Sequence, residues 1–517
     1  MSTPRTSPVS AYLDACQSSG GLEKLDPSVI AYIAALESVA RVAPGIARST
    51  VQELADQRAN IKLIASENYS SLSTQLAMAN LLTDKYAEGI SRKRYYAGCD
   101  NVDAIEDFAC AQACKLFGAD HAYVQPHSGA DANIIAFWAI LSARVETPTI
   151  QEFGAKSAMG LDDAQWAELR RRVGNQRLLA MDFSSGGHLT HGYRMNVSAK
   201  MFEAHGYTVS RKDSLLDYDE IEKQALDVKP LILLAGYSAY PRRIDFERMR
   251  AIADKVGAVL MVDMAHFAGL VAGGAFEGVH NPIPYAHVVT TTTHKTLRGP
   301  RGGLVLCTDE FADHVDRGCP MVQGGPLPHV MGAKALCFTE ALEPSFKTYA
   351  GNVIDNARSL AEACMSEGLG VLTNGTDNHQ VILDVTNQGV SGRQAEAALR
   401  ECRVTSNRNA IPFDKNSPLV TSGLRLGTPA VTTLGMGSAE MKEIAAILKG
   451  ILGATEPGVT RDGKPSKIEH VTADDAQLAA TGRVDALLGR FPVYPELDLD
   501  FLERHFCASD DPAAATG

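Results

Sequence analysis

Lys295 is the residue best placed to do chemistry in this sequence, because it ends a run of β-branched residues. The run at 290–293, followed by His294, predicts a buried strand that carries the lysine at its carboxyl end, with Arg301 shortly after it. Burial removes hydration from a lysine and makes its charged form costly, and a cationic neighbour adds to that cost. Both effects favour a neutral, nucleophilic amine. Taken alone, the motif also fits an exposed lysine at a strand end.

Asp263 follows a second apolar strand, at 259–262, and is expected at the same edge of the sheet. Burial of an unpaired carboxylate is costly, so this side chain needs a cationic partner. The protonated ring nitrogen of a pyridine cofactor is such a partner. An aspartate that caps a helix N-terminus would produce the same sequence pattern.

Two glycine-containing turns add to these groups. Ser128 and Gly129 separate a short strand from a helix, and the free N–H groups of a helix start bind phosphate. His188 and His191 lie in a glycine-rich loop without a cysteine or carboxylate at metal-ligand spacing, so we expect no metal there. An imidazole flanked by glycines can lie flat on an aromatic ring instead. Amine, carboxylate, phosphate turn and stacking imidazole are the groups that pyridoxal phosphate requires.

The elements that must position these residues alternate between strand and helix. We predict strands at 121–125, 231–235, 258–262 and 286–292, with helices between them. This alternation predicts an α/β fold with a mainly parallel sheet and right-handed crossovers. Such a sheet binds ligands beyond the carboxyl ends of its strands. The alternation changes after about residue 340, which indicates a smaller α+β domain.

Composition limits the class of protein. The chain has 517 residues and a net charge of −12, which argues against nucleic acid or an anionic membrane as its partner. Its ten cysteines are scattered without a CxxC pair, which favours reduced thiols. Residues 1–28 read as loosely ordered, without an apolar signal segment, and no apolar run reaches transmembrane length. We therefore expect a cytoplasmic protein.

Several longer motifs give the chain a close resemblance to the serine hydroxymethyltransferase family. The resemblance extends from about residue 26 to residue 453 and is interrupted once. The motifs lie at 63–69, 85–89, 94–96, 262–266, 293–296 with 299–303, 323–326, 375–379 and 423–429.

The resemblance implies a fold and a division into domains. The expected fold is aspartate-aminotransferase-like, with a large domain built on a mainly parallel seven-stranded sheet and a smaller α+β C-terminal domain. The expected domains are an N-terminal arm and helix over 1–68, a large pyridoxal-phosphate-binding domain over 69–345 with an insertion at about 146–180, and a small domain over 346–517 with a tail from about 455.

The resemblance also implies an activity. This is the reversible transfer of the serine hydroxymethyl carbon to tetrahydrofolate, giving glycine and 5,10-methylenetetrahydrofolate through a pyridoxal-phosphate aldimine and a quinonoid. The expected assembly is a homodimer or a dimer of dimers with shared active sites. Two alternatives remain at this point: a folate-independent threonine or allo-threonine aldolase, and a non-catalytic protein that keeps the fold.

Roles for individual residues follow from the resemblance position by position. The residues expected to act in catalysis are Lys295, Glu88, His294 and Tyr96. Those expected to bind the cofactor are Ser128, Gly129, His188, Ser238, Asp263, His266, Lys295, Tyr86 and Gly325, with Tyr86 and Gly325 reaching in from the partner subunit. Those expected to bind the amino-acid substrate are Ser66, Arg425, Tyr96 and Glu88. Those expected to bind folate are Phe183, Gly187, His188, Leu189, Asn409 and Ser417.

The chain departs from the family pattern in three places. Ala130 replaces a serine that often follows the Ser-Gly pair, which removes one hydroxyl from the phosphate turn. Phe183 stands where a leucine commonly contacts the pterin. The insertion contains a predicted amphipathic helix at 162–173, which we interpret as a surface or dimer-edge elaboration. A regulatory or partner-binding role for this insertion is the alternative.

Overall fold

The computed structural model of the protein describes residues 7–19 and 25–507. Among these residues, no helix has both the length and the apolarity needed to span a bilayer. The α-helices are α1 (Pro8–Ser19), α2 (Pro27–Val42), α3 (Pro44–Ala59), α4 (Leu72–Leu76), α5 (Asp100–Phe117), α6 (Gly129–Leu141), α7 (Thr147–Glu152), α8 (Asp163–Val173), α9 (Ser198–Met201), α10 (Tyr218–Val228), α11 (Phe246–Val256), α12 (Ala268–Ala272), α13 (Asp309–Asp316), α14 (Gly318–Met321), α15 (Pro328–Ala341), α16 (Pro344–Ser366), α17 (Gly392–Glu401), α18 (Pro429–Thr433), α19 (Ser438–Gly453), α20 (Asp474–Leu488) and α21 (Leu499–Phe506). The β-strands are β1 (Ile61–Lys62), β2 (Gly89–Ile90), β3 (Lys93–Arg94), β4 (His121–Tyr123), β5 (Arg177–Met181), β6 (Glu203–Tyr207), β7 (Ile232–Gly236), β8 (Val259–Asp263), β9 (Val288–Thr292), β10 (Gly303–Cys307), β11 (Gly370–Val371), β12 (Gln380–Asp384), β13 (Val404–Thr405), β14 (Asn407–Asn409), β15 (Gly423–Gly427), β16 (Thr455–Val459) and β17 (Pro465–Thr472).

A seven-stranded sheet forms the centre of the molecule, in the order β4-β10-β9-β8-β7-β5-β6. Five neighbouring strands of this sheet, β9, β8, β7, β5 and β6, are parallel to one another. Strand β10 is antiparallel to both of its neighbours. Asp263 pairs with Gly236 on one side and with Thr290 on the other. The predicted α/β fold with a mainly parallel seven-stranded sheet is confirmed, and the candidate residues of two adjacent strands share one edge.

The central strands are apolar on both faces because helices cover both sides. Leu260 and Val262 of β8 belong to one apolar core, whereas Val259 and Met261 belong to the core on the opposite face. This pattern explains why the strands read as continuous apolar runs, which is typical of parallel sheets with two covered faces.

A second sheet, in the order β11-β12-β15-β14, is antiparallel and packs against α16, α17 and α19. It carries Arg425 on β15, directly opposite Ile382 of β12. Strand β1 lies close to this region because Ile61 pairs in parallel with Val404 of β13. A segment from near the start of the chain is therefore built into the C-terminal half.

The start and the end of the chain are also fastened together. The guanidinium group of Arg58, at the end of α3, donates hydrogen bonds to the carbonyls of Val493 at 2.9 Å, Tyr494 at 2.5 Å and Leu497 at 2.8 Å. The Tyr494 hydroxyl donates to the carbonyl of Ser70 at 2.9 Å. These contacts tie the C-terminal segment to the N-terminal helices and to the loop that follows β1.

The interpretation of residues 1–28 as loosely ordered was wrong for the helix α1. Glu37 of α2 anchors the start of this helix by accepting hydrogen bonds from the Ser7 hydroxyl at 2.7 Å and from the Val9 amide at 3.2 Å. Residues 1–6 and 20–24 lie outside the described residues, as do 508–517 of the predicted tail. From residue 455 the chain also forms a β16–β17 hairpin and α21, which the sequence pattern did not predict.

The insertion forms the short helix α7 and the amphipathic helix α8. The helix predicted at 162–173 is observed as α8, and Asp162 caps it by accepting from the amide of Gln165 at 2.8 Å. Leu169 is buried beneath the helix, whereas Trp166 on the same helix is 45% exposed. The insertion thus packs through one narrow apolar face.

Lys334 is a fully buried lysine that holds together the strand ends around the candidate site. Its ammonium group donates to the carbonyls of Val124 at 2.6 Å, Pro126 at 2.9 Å and Gly303 at 2.8 Å. Among the described residues, no acidic side chain forms an ion pair with it. The three carbonyls satisfy the ammonium group and fix β4 and β10 where the turn carrying Ser128 begins.

Replacement of Lys334 with methionine should therefore destabilise the fold. Methionine keeps most of the volume but leaves buried carbonyls without their partner, at a cost of about 2 to 4 kcal/mol. The measurement is urea unfolding followed by fluorescence, with the exposed Lys442→Met as the matched control. Equal midpoints for the two variants would contradict this role of Lys334.

Candidate active site

Lys295 lies just beyond β9, at the carboxyl edge of the central sheet. Its carbonyl accepts hydrogen bonds from the Asn68 side chain and the Arg298 amide, both at 3.0 Å, which fixes the backbone. Within the described residues, its amine makes no hydrogen bond or ion pair. Burial lowers the pKa of Lys295 to about 8, with Asp263 acting to raise it and Arg425 acting to lower it further. The amine is therefore poised to lose its proton near neutral pH.

Asp263 is buried and held by three donors. Its Oδ2 accepts from the Asn133 side chain at 2.8 Å and faces Nε2 of His191 at 3.1 Å, and its Oδ1 accepts from the Ala265 amide at 3.0 Å. Burial acts to raise the pKa of Asp263, but the hydrogen bond and the electrostatic interaction with His191 outweigh it and hold this pKa well below its usual range. The carboxylate therefore stays ionised, as a partner of a ring cation must.

His188 lies beside this carboxylate as a neutral imidazole. Burial lowers the pKa of His188 to about 4, and its Nδ1 lies 2.7 Å from the Thr190 hydroxyl. His188, His191 and Asp263 each offer one ligand atom within 4.8 Å of the others. No carboxylate lies at metal-ligand spacing from the two histidines along the sequence, but the fold brings Asp263 next to them.

The phosphate turn is formed at the start of α6. The Ser128 hydroxyl accepts from the Asp131 amide at 3.1 Å and caps the helix. A Cβ atom on Gly129 would lie 2.6 Å from Cγ2 of Thr292, so only glycine fits at this position. The amide groups at this helix start are close to the end of β9, and Lys295 lies in the turn that follows this strand.

Arg425 is a partly buried cation without a carboxylate partner among the described residues. Its Nη1 donates to the Ser238 carbonyl at 2.6 Å, and its Nε donates to Asn407 at 3.1 Å. Burial lowers the pKa of Arg425 to about 10, which leaves it charged at neutral pH. The other terminal nitrogen of its guanidinium group has no protein partner in the described chain. Such a group binds the carboxylate of a small substrate.

Ser66 is brought towards Arg425 by backbone packing. The amide of Gly427, two residues after Arg425, donates to the carbonyl of Leu63 at 2.8 Å. A Cβ atom on Gly427 would overlap the backbone of Ala65, so the glycine permits this close approach. The segment that carries Ser66 therefore lies directly against the strand that carries Arg425.

Two further histidines border the site as neutral groups. Burial lowers the pKa of His266 well below its usual value, and Lys295 and Arg425 lower it further. Burial and the Arg301 charge lower the pKa of His294 to about 3. The Nδ1 of His266 lies 2.9 Å from Nε2 of Gln380 and 3.2 Å from Nε2 of His379. The Nε2 of His266 has no hydrogen-bond partner among the described residues.

Glu88, Tyr86, Tyr96 and Gly325 lie on neighbouring loops outside this cluster. Tyr86 packs against Gly325 and against the ring of Tyr96, with ring centroids 4.8 Å apart. The carbonyl of Gly325 lies 3.1 Å from Nε2 of His127, next to the phosphate turn. Within the described residues, no hydrogen bond, ion pair or ring contact joins Glu88 or Tyr96 to Lys295. A single chain thus does not bring all predicted catalytic residues into contact.

The predicted folate residues lie on the loop at 183–189, at the end of β14 and on the loop that follows β14. Phe183 and Leu189 are 39% and 42% exposed, and a side chain on Gly187 would overlap the carbonyl of Met181. The carbonyl of Gly186 in this loop accepts from the Ser238 amide at 2.7 Å. Asn409 pairs with Gly423 on β15, and Ser417 lies in the loop that follows. These residues offer exposed apolar and amide groups at the rim of the site.

Sequence reasoning did not assign roles to Asn133 and His191, which hold the Asp263 carboxylate. Asn133 also accepts from the Thr290 hydroxyl at 2.5 Å, so it links α6 to β9 and β8. Its signal was a polar residue in the middle of an otherwise strongly apolar helix. Asn68, which holds the Lys295 backbone, was part of a recognised motif but received no role.

The donor set fits pyridoxal phosphate. It contains a partly buried amine without a protein partner in the described chain, an ionised carboxylate held for a ring cation, a neutral imidazole beside it and a glycine that leaves space at a helix start. These groups could hold the aldehyde carbon, the ring nitrogen, the ring face and the phosphate, respectively.

Comparison with known proteins identifies the family to which the chain is similar. The family model described as serine hydroxymethyltransferase matches residues 39–149 and 171–448. A serine hydroxymethyltransferase of Treponema pallidum (strain Nichols) is 59% identical over 484 residues, covering 94% of this chain and 84% of that protein. Those of Cutibacterium acnes and Salinispora tropica are 54% and 53% identical over 478 and 470 residues, covering 92% and 91% of this chain and 97% and 98% of theirs. The gap in the family match falls inside the insertion.

The pH dependence of Lys295 reactivity checks the electrostatics of the site. In the cofactor-free chain, acetic anhydride should acylate Lys295 with a pH midpoint near 8, far below the value of about 10.4 for an ordinary lysine. Since the Asp263 carboxylate acts to raise this pKa, Asp263→Asn should move the midpoint lower still. Mass spectrometry of the labelled peptides gives both values, with the exposed Lys442 as internal reference. A Lys295 midpoint equal to that of Lys442 would refute the assignment.

Proposed function

The chain belongs to the serine hydroxymethyltransferase family, and on that basis we propose how its own residues carry out the family's reaction. The reaction is the reversible transfer of the serine hydroxymethyl carbon to tetrahydrofolate, which gives glycine and 5,10-methylenetetrahydrofolate. The family match favours this reaction over a folate-independent aldolase. The observation that carries the proposal is the unpaired Lys295 amine beside the ionised Asp263 and the unpaired Arg425.

The enzyme uses pyridoxal phosphate, and we propose which residues hold it. Lys295 would bind the aldehyde carbon, Asp263 the ring nitrogen and His188 the ring face, while Ser128 and Gly129 would hold the phosphate. When bound, the cofactor supplies an electron sink for the pair released as the bond between Cα and Cβ of serine breaks. Asp263 would keep the ring nitrogen protonated, because the low pKa of Asp263 leaves its carboxylate ionised.

Arg425 and Ser66 would orient the amino-acid substrate. The free edge of the Arg425 guanidinium can take both oxygens of the substrate carboxylate, and Ser66 lies on the segment packed against its strand. Fixing the carboxylate sets the direction of the scissile bond and removes much of the entropic barrier to reaction. The backbone carbonyl of Ser238 holds Arg425 in place. The side chains of Ser238 and His266 would face the phenolic oxygen of the cofactor.

Glu88 would move the proton of the serine hydroxyl, and Tyr96 would position the substrate beside it. His294 would take part in catalysis next to Lys295 as a neutral imidazole, since burial and the Arg301 charge lower the pKa of His294 to about 3. A side chain whose task is proton transfer contributes about a hundredfold or more to the rate. Glu88 lies on a partly exposed loop, where a bound second substrate can reach it.

The rim residues would bind tetrahydrofolate. Phe183, Gly187, His188 and Leu189 lie on one loop, and Asn409 and Ser417 lie on the other side of Arg425. Phe183 also packs on Tyr193, with ring centroids 4.9 Å apart, so it offers an aromatic face in place of a leucine. The amide of Asn409 supplies a polar group for the folate.

We propose that the enzyme is a homodimer, or a dimer of dimers, whose subunits share active sites. Tyr86 and Tyr96 are themselves 58% and 47% exposed, and two other large apolar side chains near them are exposed as well: Leu81, just before this loop, at 84%, and Met321, at the end of the helix α14 that contacts β2, at 61%. Exposed apolar patches of this kind are typical of protein interfaces. A partner subunit at this face would place Glu88, Tyr86, Tyr96 and Gly325 of one chain in the site of the other.

We further propose a cytoplasmic location and the three-domain division at residues 68 and 345. Buried free thiols such as Cys337, Cys364 and Cys402 suit a reducing compartment. Separate apolar cores around the central sheet and around the small sheet support the division. The pairing of β1 with β13 indicates that the N-terminal segment up to 68 packs with the small domain.

Serine cleavage by wild type and Glu88→Gln tests the proposed function. Wild type should release glycine in a tetrahydrofolate-dependent way, whereas Glu88→Gln should lose about a hundredfold or more in kcat because the proton carrier is gone. The exposed Glu277→Gln is the matched control and should behave like wild type. Equal wild-type rates with and without tetrahydrofolate would reject the assignment and favour the aldolase.

Mixing two inactive chains tests the shared sites. Lys295→Ala disables the amine, and Glu88→Gln disables the loop expected to come from the other subunit. Co-refolded mixed dimers should then contain one site with both residues intact, which restores activity in about a quarter of all sites. Analytical ultracentrifugation confirms dimer formation. Mixed dimers that form but remain as inactive as the parents would show that each site is built from one chain.

A further inference from the structure

Gln380 carries a fully buried side-chain amide that lies between His266 and the Ser238 carbonyl that holds Arg425. It begins β12 and pairs with Gly427, so it lies on the small sheet next to the strand that carries Arg425. Its backbone is fixed because its amide donates to Asn378 at 2.8 Å. The reaction described above assigns no role to this side chain.

The orientation of the Gln380 amide follows from its neighbours. Its side-chain nitrogen lies 3.0 Å from the Ser238 carbonyl and 2.9 Å from Nδ1 of His266. A carbonyl oxygen can only accept, so the group that faces Ser238 must be the NH2 and not the oxygen. The opposite assignment would place two oxygens in contact and leave the buried NH2 without a partner.

The same geometry decides the tautomer of His266. An amide nitrogen donates and does not accept. The second Gln380 proton faces Nδ1 of His266 at 2.9 Å more closely than Nε2 of His379 at 3.4 Å, so Nδ1 of His266 must carry the lone pair that receives it. A neutral imidazole has one proton, which then lies on Nε2. Nε2 of His266 has no partner in the described chain and is thus free to donate an N–H to a bound group. His379 stacks beside it, with Nε2 3.2 Å from the same Nδ1 atom.

Gln380 also supports Arg425 through a shared acceptor. The Ser238 carbonyl accepts from Arg425 Nη1 at 2.6 Å and from Gln380 Nε2 at 3.0 Å. Its two lone pairs are therefore both used, and the two donors lie on adjacent strands. Loss of the Gln380 bond would release one constraint on the carbonyl that holds the guanidinium.

We propose that Gln380 is a positioning residue that sets the tautomer of His266 and, through the Ser238 carbonyl, the placement of Arg425. It couples the donor that faces the cofactor's phenolic oxygen to the group that holds the substrate carboxylate. This inference rests on the proposed roles of His266 and Arg425 and deepens them. Gln380 acts through these two residues and does not touch the reacting atoms.

Histidine-selective 15N NMR of the cofactor-free chain tests the tautomer directly, with His266→Asn assigning the signals. In wild type, Nδ1 of His266 should resonate as an unprotonated nitrogen and Nε2 as a protonated one. Gln380→Leu, which keeps the volume, should give a mixture of tautomers. Gln380→Glu, which offers only acceptors, should draw a proton onto Nδ1. A wild-type His266 with its proton on Nδ1 would overturn the proposal without any variant.

Steady-state kinetics of the cofactor-loaded enzyme test the coupling to Arg425. Gln380→Leu should raise the KM for serine about three- to tenfold, the effect of one lost hydrogen bond, and leave the KM for tetrahydrofolate nearly unchanged. Gln394→Leu is the matched control, since Gln394 is a buried amide that donates to the carbonyls of Ser466 at 2.9 Å and Glu469 at 2.6 Å away from the site. It should lower stability without changing the KM for serine.

The outcomes separate this inference from the proposed function. An unchanged His266 tautomer and serine KM in Gln380→Leu would refute the positioning role, as would an equal rise in KM for Gln394→Leu. A wild-type enzyme without folate-dependent serine cleavage would refute the proposed function instead. The NMR result on the cofactor-free chain would still decide the tautomer in that case.

Discussion

The Asp263 carboxylate is the charge on which the site depends. It is buried at the end of β8, where it interacts electrostatically with Lys295, and a buried carboxylate without hydrogen-bond donors there would become protonated. Asn133 and His191 keep it ionised from one side, and the Ala265 amide does so from the other. Helix α6, the loop with His191 and the end of β8 must all come within hydrogen-bond distance of the two Asp263 oxygens. This requirement fixes the positions of these elements at the carboxyl edge of the sheet.

Charge balance explains why the site is set for an anionic, aldehyde-bearing cofactor and an anionic substrate. The site holds one carboxylate, that of Asp263, together with the basic groups of Lys295 and Arg425, and burial keeps the imidazoles of His188, His266 and His379 neutral. A phosphate at the start of α6 and a substrate carboxylate on Arg425 supply the missing negative charge. Loss of the Lys295 proton reduces the excess further, which is why the same electrostatics both lower its pKa and make it nucleophilic.

The sequence was sufficient for the parts of the structure that repeat a simple pattern. Apolar runs predicted the central strands, and strand ends predicted Lys295 and Asp263 at one edge, because parallel strands share that edge. It was insufficient where partners are distant in the chain. The contact between His191 and Asp263 spans 72 residues, and Gln380 reads as an ordinary strand residue until Ser238 and His266 are seen around it. Side-chain networks of this kind leave no periodic trace.

The hydrogen bonds between Arg58 and the carbonyls of Val493, Tyr494 and Leu497 have a consequence for folding during translation. Arg58 and Val493 are separated by 435 residues, so the helix carrying Arg58 leaves the ribosome long before its acceptors are synthesised. The neighbouring strand β1 likewise waits for β13. The loop with Ser66 therefore gains its support only after Val493 and Tyr494 have been synthesised, and a nascent chain of this protein must protect its early apolar helices until then.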